Sequence, residues 1–104
     1  VSLLNSEIEI KDFNASLEKL ISTFNLFNDI KITFNMNEGI DDLSPIIKTS
    51  LYKTIQESIT NSLNHGNATE ITIKITRTNG NIKLVVTDNV LGIIFAVLKY
   101  FNIK

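Results

Sequence analysis

Apolar residues recur every four positions from Ser44 to Gly66, at Ile47, Leu51, Ile55, Ile59 and Leu63. That spacing lays them in one stripe on a helix, and such a stripe must lie on a core. Ser44 is a good N-cap, and Pro45 suits the first helical position, where a missing N–H leaves no bond unmade. Asn64-His65-Gly66-Asn67 closes the run with a glycine able to take the left-handed C-terminal conformation. The pattern predicts one helix between Ser44 and Gly66.

Upstream, Glu7-Ile8-Glu9-Ile10 alternates polar and apolar and predicts a brief strand. Asp12 or Asn14 can cap a second helix, on which Leu17, Leu20, Ile21, Phe24 and Phe27 keep helical spacing until Asn28-Asp29. Ile30, Ile32, Phe34 and Met36 then alternate with Lys31, Thr33 and Asn35, the pattern of a strand with one buried side. Asn37-Glu38-Gly39 turns the chain toward the long helix.

Downstream, Asn79-Gly80 separates two alternating runs, Thr69 to Arg77 and Asn81 to Asp88. A type I′ hairpin turn needs positive φ at both central residues, and Asn-Gly supplies it. A two-residue loop fixes the register, so Ile75 faces Leu84, Ile73 faces Val86 and Ile71 faces Asp88. The same alternation puts Ile82, Leu84, Val86 and Asp88 on one face, which carries a carboxylate to the buried side. An unpartnered buried charge costs several kcal/mol. Asp88 therefore needs a donor, either a backbone N–H of the following turn or an amino group on a ligand. Ile93 to Lys104 fits a helix, with Ile94, Val97, Leu98 and Phe101 on one side, or a short apolar strand.

The 104 residues are about one domain, and their 43% hydrophobic content argues against disorder. A net charge of −1 with no run of Lys or Arg argues against nucleic-acid binding. With no Cys and a single His, cysteine zinc sites, disulfides and multi-histidine metal chemistry are excluded. No stretch approaches the roughly 20 apolar residues of a membrane span. Val1 opens without Met or a signal pattern, which suggests a piece of a longer chain.

Glu57, Asn61 and His65 follow one another at spacings of four, roughly 200° around the helix from Ile59. They offer a carboxylate, a carboxamide and an imidazole in one column. Spacing alone favours a hydrated helix face.

The wording of the segment adds to this. LYKTIQESITNSLNHG, through Leu51-Tyr52, Gln56-Glu57, Asn61 and His65, resembles the asparagine-bearing N box of the GHKL or Bergerat-fold ATPases. It is most similar to the version in sensor histidine kinases of the nitrate-sensor and desaturase-sensor subgroup, although Gly66 stands where that subgroup usually has Ala. Val86-Thr87-Asp88-Asn89-Val90-Leu91-Gly92 resembles the first glycine-rich box of the same kinases, Asp-x-Gly-x-Gly, with Val90 at the first glycine.

The resemblance covers about Leu17 to Gly92. It implies an α/β two-layer sandwich of Bergerat type, with a mixed, mostly antiparallel sheet and helices on one face. It further implies ATP and Mg²⁺ as ligands. Asn61 and Glu57 would hold the metal, and Glu57 would also be the catalytic carboxylate. Asn61, His65, Asp88 and Gly92 would contact the nucleotide, Asp88 through the adenine amino group. The chain would then be the cytoplasmic ATP-binding domain of a protein-histidine kinase. Its partners would be a separate dimerisation domain bearing the phosphoacceptor histidine and, indirectly, a response regulator. It would make no membrane contact of its own, although the parent protein could be membrane-anchored.

In that family a second glycine-rich box cradles the phosphates, whereas Ile93 to Lys104 contains no glycine. ATP and Mg²⁺ are therefore expected to bind these 104 residues weakly or not at all, and the chain alone is not expected to be a competent kinase. The alternative is a degenerate, non-catalytic module that keeps the sandwich for protein interaction. A superfamily ATPase or serine kinase fits the N box less well.

Overall fold

The computed structural model describes residues 12–37, 42–78, 81–90 and 92–97, with the backbone alone at 65, 66, 78, 81 and 92–97. Helix α1 spans Phe13–Phe27, and the Asp12 carboxylate caps it by accepting from the Ala15 N–H at 3.0 Å. It ends at Asn28, whose backbone N–H donates to the Phe24 carbonyl. Phe13, Leu17 and Leu20 are buried, and Ile21 and Phe24 are partly buried against the core. Phe27 is a correction, because it is 76% exposed. Its angle around the helix matches that of Leu20, but it is the last helical residue, where the chain already leaves for the first strand.

Strand β1, Lys31–Met36, follows, and helix α2, Pro45–Asn61, crosses over to strand β2, Glu70–Thr78. β1 and β2 pair in parallel, Ile32 opposite Ile71 and Phe34 opposite Ile73. A parallel pair requires such a crossover, so α2 must run back across the sheet. The Ser44 hydroxyl accepts from the Ile47 N–H at 3.4 Å, with Pro45 in the first turn. Leu51, Ile55 and Ile59 are buried and Ile47 and Leu63 partly so, as the four-residue spacing predicts.

Strands β3, Asn81–Asp88, and β4, Gly92–Val97, complete a four-stranded sheet in the order β1-β2-β3-β4. The β2–β3 register has Ile75 opposite Leu84, Ile73 opposite Val86 and Ile71 opposite Asp88, as turn and pattern together require. The segment after Gly92, open between helix and strand on periodicity, is strand through Val97 and pairs antiparallel with β3. The Glu7–Ile10 strand, the Glu38-Gly39 part of the first turn, the Asn79-Gly80 turn and residues 98–104 lie outside the described residues.

One face of the sheet is apolar. Ile32, Ile71, Ile73, Ile75, Ile82, Leu84 and Val86 are buried in one cluster with Phe13, Leu17, Leu51, Ile55 and Ile59 of the helices. On the alternate positions Lys31, Thr33, Asn35, Thr72, Lys74 and Lys83 are exposed. The chain is thus a two-layer α/β sandwich with a mixed, mostly antiparallel sheet and its helices on one face.

Thr78 pairs with Asn81, which leaves two residues to connect β2 to β3. A β-branched residue at the second of them is disfavoured where φ is positive. Gly80→Val is therefore expected to destabilise the fold by about 1 kcal/mol or more. An unchanged urea midpoint would show that the turn does not need positive φ there.

The far end of β2 is tied to the entry of α2 by charge. Arg77 donates to both carboxylate oxygens of Asp42, at 2.8 and 3.0 Å. That hydrogen bonding, more than any other cause, holds the Asp42 carboxyl below the usual carboxylate range. A depressed native value stabilises the fold fully above the unfolded value, about 3.9, and ceases to do so once pH falls through the native one. Asp42→Asn should accordingly flatten the loss of stability below about pH 4, measured as urea midpoint against pH. Curves of equal slope would show that Asp42 contributes nothing to acid unfolding.

Candidate functional site

The crossover brings the C-terminal end of α2 to the start of β2, and β3 returns antiparallel so that it finishes there too. Topology alone therefore places the C-terminal end of α2 beside Asp88. The two elements are joined directly. The Ser62 hydroxyl donates to Asp88 Oδ2 at 3.2 Å, and the Val90 N–H donates to Asp88 Oδ1 at 2.9 Å. Ser62 is 1% and Asp88 3% exposed. The donor demanded by a buried carboxylate is met from within the chain, partly by the following turn.

Helix geometry changes at this point. α2 is α-helical through Asn61, and Ser62–Gly66 forms one π-helical turn. A π turn closes i→i+5 rather than i→i+4 bonds. The column expected from spacings of four therefore holds for Glu57 and Asn61, both exposed, but His65 enters the wider turn. The His65 side chain lies outside the described atoms. The left-handed residue that ends the helix is Asn67, φ 54°, rather than Gly66. Asn tolerates that region better than other non-glycine residues, because its short side chain bonds locally.

Asp88 meets the end of the helix at Ser62, the immediate neighbour of the exposed Asn61. Consecutive helical residues point about 100° apart, so when Ser62 turns to the sheet, Asn61 turns to solvent. Ser62 was legible all the same. Ser58, Ile59 and Ser62 stand three, four and seven residues after Ile55, which is core-stripe spacing, and Ser58 and Ser62 are both buried.

Asn89, also missed, fixes the loop beyond Asp88. Its Oδ1 accepts from the N–H groups of Thr69 and Glu70, each at 3.1 Å, and its Nδ2 donates to Thr69 Oγ1 at 2.9 Å. Its own N–H donates to the Glu70 carbonyl. Gly92 pairs with Asp88 across the β3–β4 ladder, next to a register shift between Val86 and Asp88. Val90 is 53% exposed, and Asn67 is the sole non-glycine residue with positive φ among the described residues. The turn at Val90 thus asks for no left-handed backbone.

Chemically, the arrangement offers a buried pair, Asp88 with Ser62, and two exposed oxygen ligands on α2, Asn61 and Glu57, one helical turn apart. The donor chemistry fits Mg²⁺, which is usually held by one or two protein oxygens, with waters and phosphates completing the shell. The Asp88 carboxylate fits an exocyclic amine. A separate depression of 190 Å³, lined by Asn35, Met36, Asn37, Lys74, Ile75 and Thr76, lies toward the other end of β2.

No helix among the described residues is long and apolar enough to cross a membrane. Neither a protein-family model nor a curated protein matches the chain.

Proposed function

We propose that the chain is the cytoplasmic ATP-binding portion of a sensor histidine kinase of Bergerat type. The observation that carries this reading is the seating of the N-box helix end on Asp88 of the glycine-rich-box segment, through Ser62 at 3.2 Å. Two segments picked out by resemblance, 26 residues apart at that contact, meet in space. In this reading Asp88 accepts from the adenine amino group, and Asn61 and Glu57 hold Mg²⁺ over the solvent face of α2. Bound Mg²⁺ would neutralise phosphate charge. Glu57 orients the reacting end, His65 and Gly92 border the nucleotide, and the γ-phosphoryl is presented to a histidine on a separate dimerisation domain that passes it to a response regulator.

A second reading, a non-catalytic module for protein interaction, is favoured by one observation. Both Asp88 oxygens already accept hydrogen bonds inside the chain. Amide chemical shifts recorded during a millimolar Mg²⁺-ATP titration separate the two. The kinase reading expects shifts that grow with concentration and are confined to Asn61, Ser62 and 88–90, short of saturation. Shifts absent there, or scattered over the surface, would reject it in favour of the module.

A further inference from the structure

We infer that the depression on the open face of the sheet, at the C-terminal end of β1, is an anion site for a phosphate group, held by the Lys74 ammonium, the Asn35 carboxamide and the Thr76 hydroxyl. It lies toward the other end of β2 from Asp88 and does not depend on the nucleotide-binding reading.

Strand alternation assembles the donors. Asn35, Asn37, Lys74 and Thr76 share the face away from the helices, and Asn35 lies opposite Lys74 in the β1–β2 register. Met36 and Ile75 turn their side chains to the core, so what they bring to this face is main chain. The side chains around the 190 Å³ hollow are therefore an ammonium, two carboxamides and a hydroxyl, with no carboxylate among them. Asn37 closes one end by pairing with the Arg77 main chain, at 2.8 and 3.1 Å. Lys74, Asn35 and Thr76 make no side-chain hydrogen bond or ion pair with the described residues. Lys83, opposite Thr76 on β3, adds a second positive charge beside the hollow.

Competing acids are remote or occupied. Among the described residues Glu70 is the sole carboxylate on this face, and it stands four residues from Lys74 along β2, roughly 13 Å away. Asp42 is held through both oxygens by Arg77. The hollow is smaller than the roughly 300–1,000 Å³ of a drug-sized site, so it suits one group of a ligand. Lysine serves phosphate as a point charge, whereas a planar carboxylate is better matched by the arginine fork. A tetrahedral oxyanion can accept at once from donors on different sides of the hollow. Mg²⁺-ATP is a poor ligand here, because the metal neutralises much of the charge on its phosphates.

The test is an NMR titration of the whole chain with inorganic phosphate and, separately, with glycerol 3-phosphate, at an ionic strength held constant with chloride. Saturable amide shifts centred on Asn35, Lys74 and Thr76 are expected with at least one of the two. A response to inorganic phosphate alone makes the free ion the ligand, and a response to the ester alone makes it a phosphate monoester. Lys74→Ala should weaken binding about tenfold, and Thr76→Val, which keeps a branched side chain suited to a strand, about threefold. Lys74 is exposed, so its replacement should leave the fold intact. Acetate, with one charge and two oxygens, should bind more weakly than phosphate. Acetate shifts equal to those of phosphate would reduce the hollow to a patch of positive charge and overturn the inference. Undiminished phosphate binding in Lys74→Ala, or no response to either phosphate, would overturn it too. The reporting residues are separate from Asn61, Ser62 and 88–90, so failure here and failure of the nucleotide-binding reading are told apart.

Discussion

Ile55→Ala is expected to cost about 3 kcal/mol of folding free energy, within the 2–5 kcal/mol typical of removing a large aliphatic side chain from a core. Ile55 is 0% exposed midway along α2, the helix that crosses between the two parallel strands. The deleted atoms lose their transfer energy and leave a void that the helix cannot close without lifting from Ile71 and Ile73, which share its cluster. Against a total stability of about 5–15 kcal/mol, that is a large share. At roughly 4–8 °C per kcal/mol for a domain of this size, melting should fall by about 12 °C or more. Ile46→Ala on the same helix is the control. Ile46 is 77% exposed, so its loss should change stability by no more than about 0.5 kcal/mol. Urea melts of both variants check this pair of expectations. A cost below about 1 kcal/mol for Ile55 would mean that α2 is not anchored by its stripe.

That helix was legible because its stripe, its cap and its proline all point to the same element. The β2–β3 hairpin was legible for the same reason, since the Asn-Gly spacing and the alternation of Ile71, Ile73 and Ile75 give one register by independent routes. Legibility failed where a local feature depends on a distant one. Periodicity could not decide whether residues after Gly92 form helix or strand, because a short apolar run suits both. The free edge of β3 decides it, and β4 pairs there. Phe27 has the right angle for the core and the wrong position along the helix. Helical spacing has no information about where the sheet beneath ends.

The site follows the same division. Burial of Asp88 came from strand period, and its contact with the following turn came from the cost of an unpartnered charge. The π turn at Ser62–Gly66 could not be seen, since a change from four- to five-residue closure leaves no mark in polar and apolar spacing. It begins at Ser62, whose hydroxyl donates to Asp88, and the backbone of His65 lies within it.

Mg²⁺-ATP is expected to bind the 104-residue chain with a dissociation constant of about 1 mM or weaker, near −4 kcal/mol or less favourable. Each part of the site offers little. The Asp88 oxygens already accept from Ser62 and Val90, so an adenine amine joins a satisfied group and gains only the net value of one more hydrogen bond, about 1 kcal/mol. Val90 presents a branched side chain where the Asp-x-Gly-x-Gly box that this segment resembles has a glycine, which would let a flat base approach closely. Asn61 and Glu57 are exposed, so any metal they hold remains largely hydrated. Ile93 to Lys104 supplies no glycine-rich backbone to donate to the phosphates, and a triphosphate taken from water without such donors gains little. Titration calorimetry on wild type, Asn61→Ala and Asp88→Asn is the check. Micromolar binding abolished by both substitutions would overturn the expectation, and would mean that the segment from Ile93 supplies phosphate donors that its sequence does not announce. Weak binding indifferent to both substitutions would favour the non-catalytic module, because a nucleotide that touches neither Asn61 nor Asp88 is not using this site.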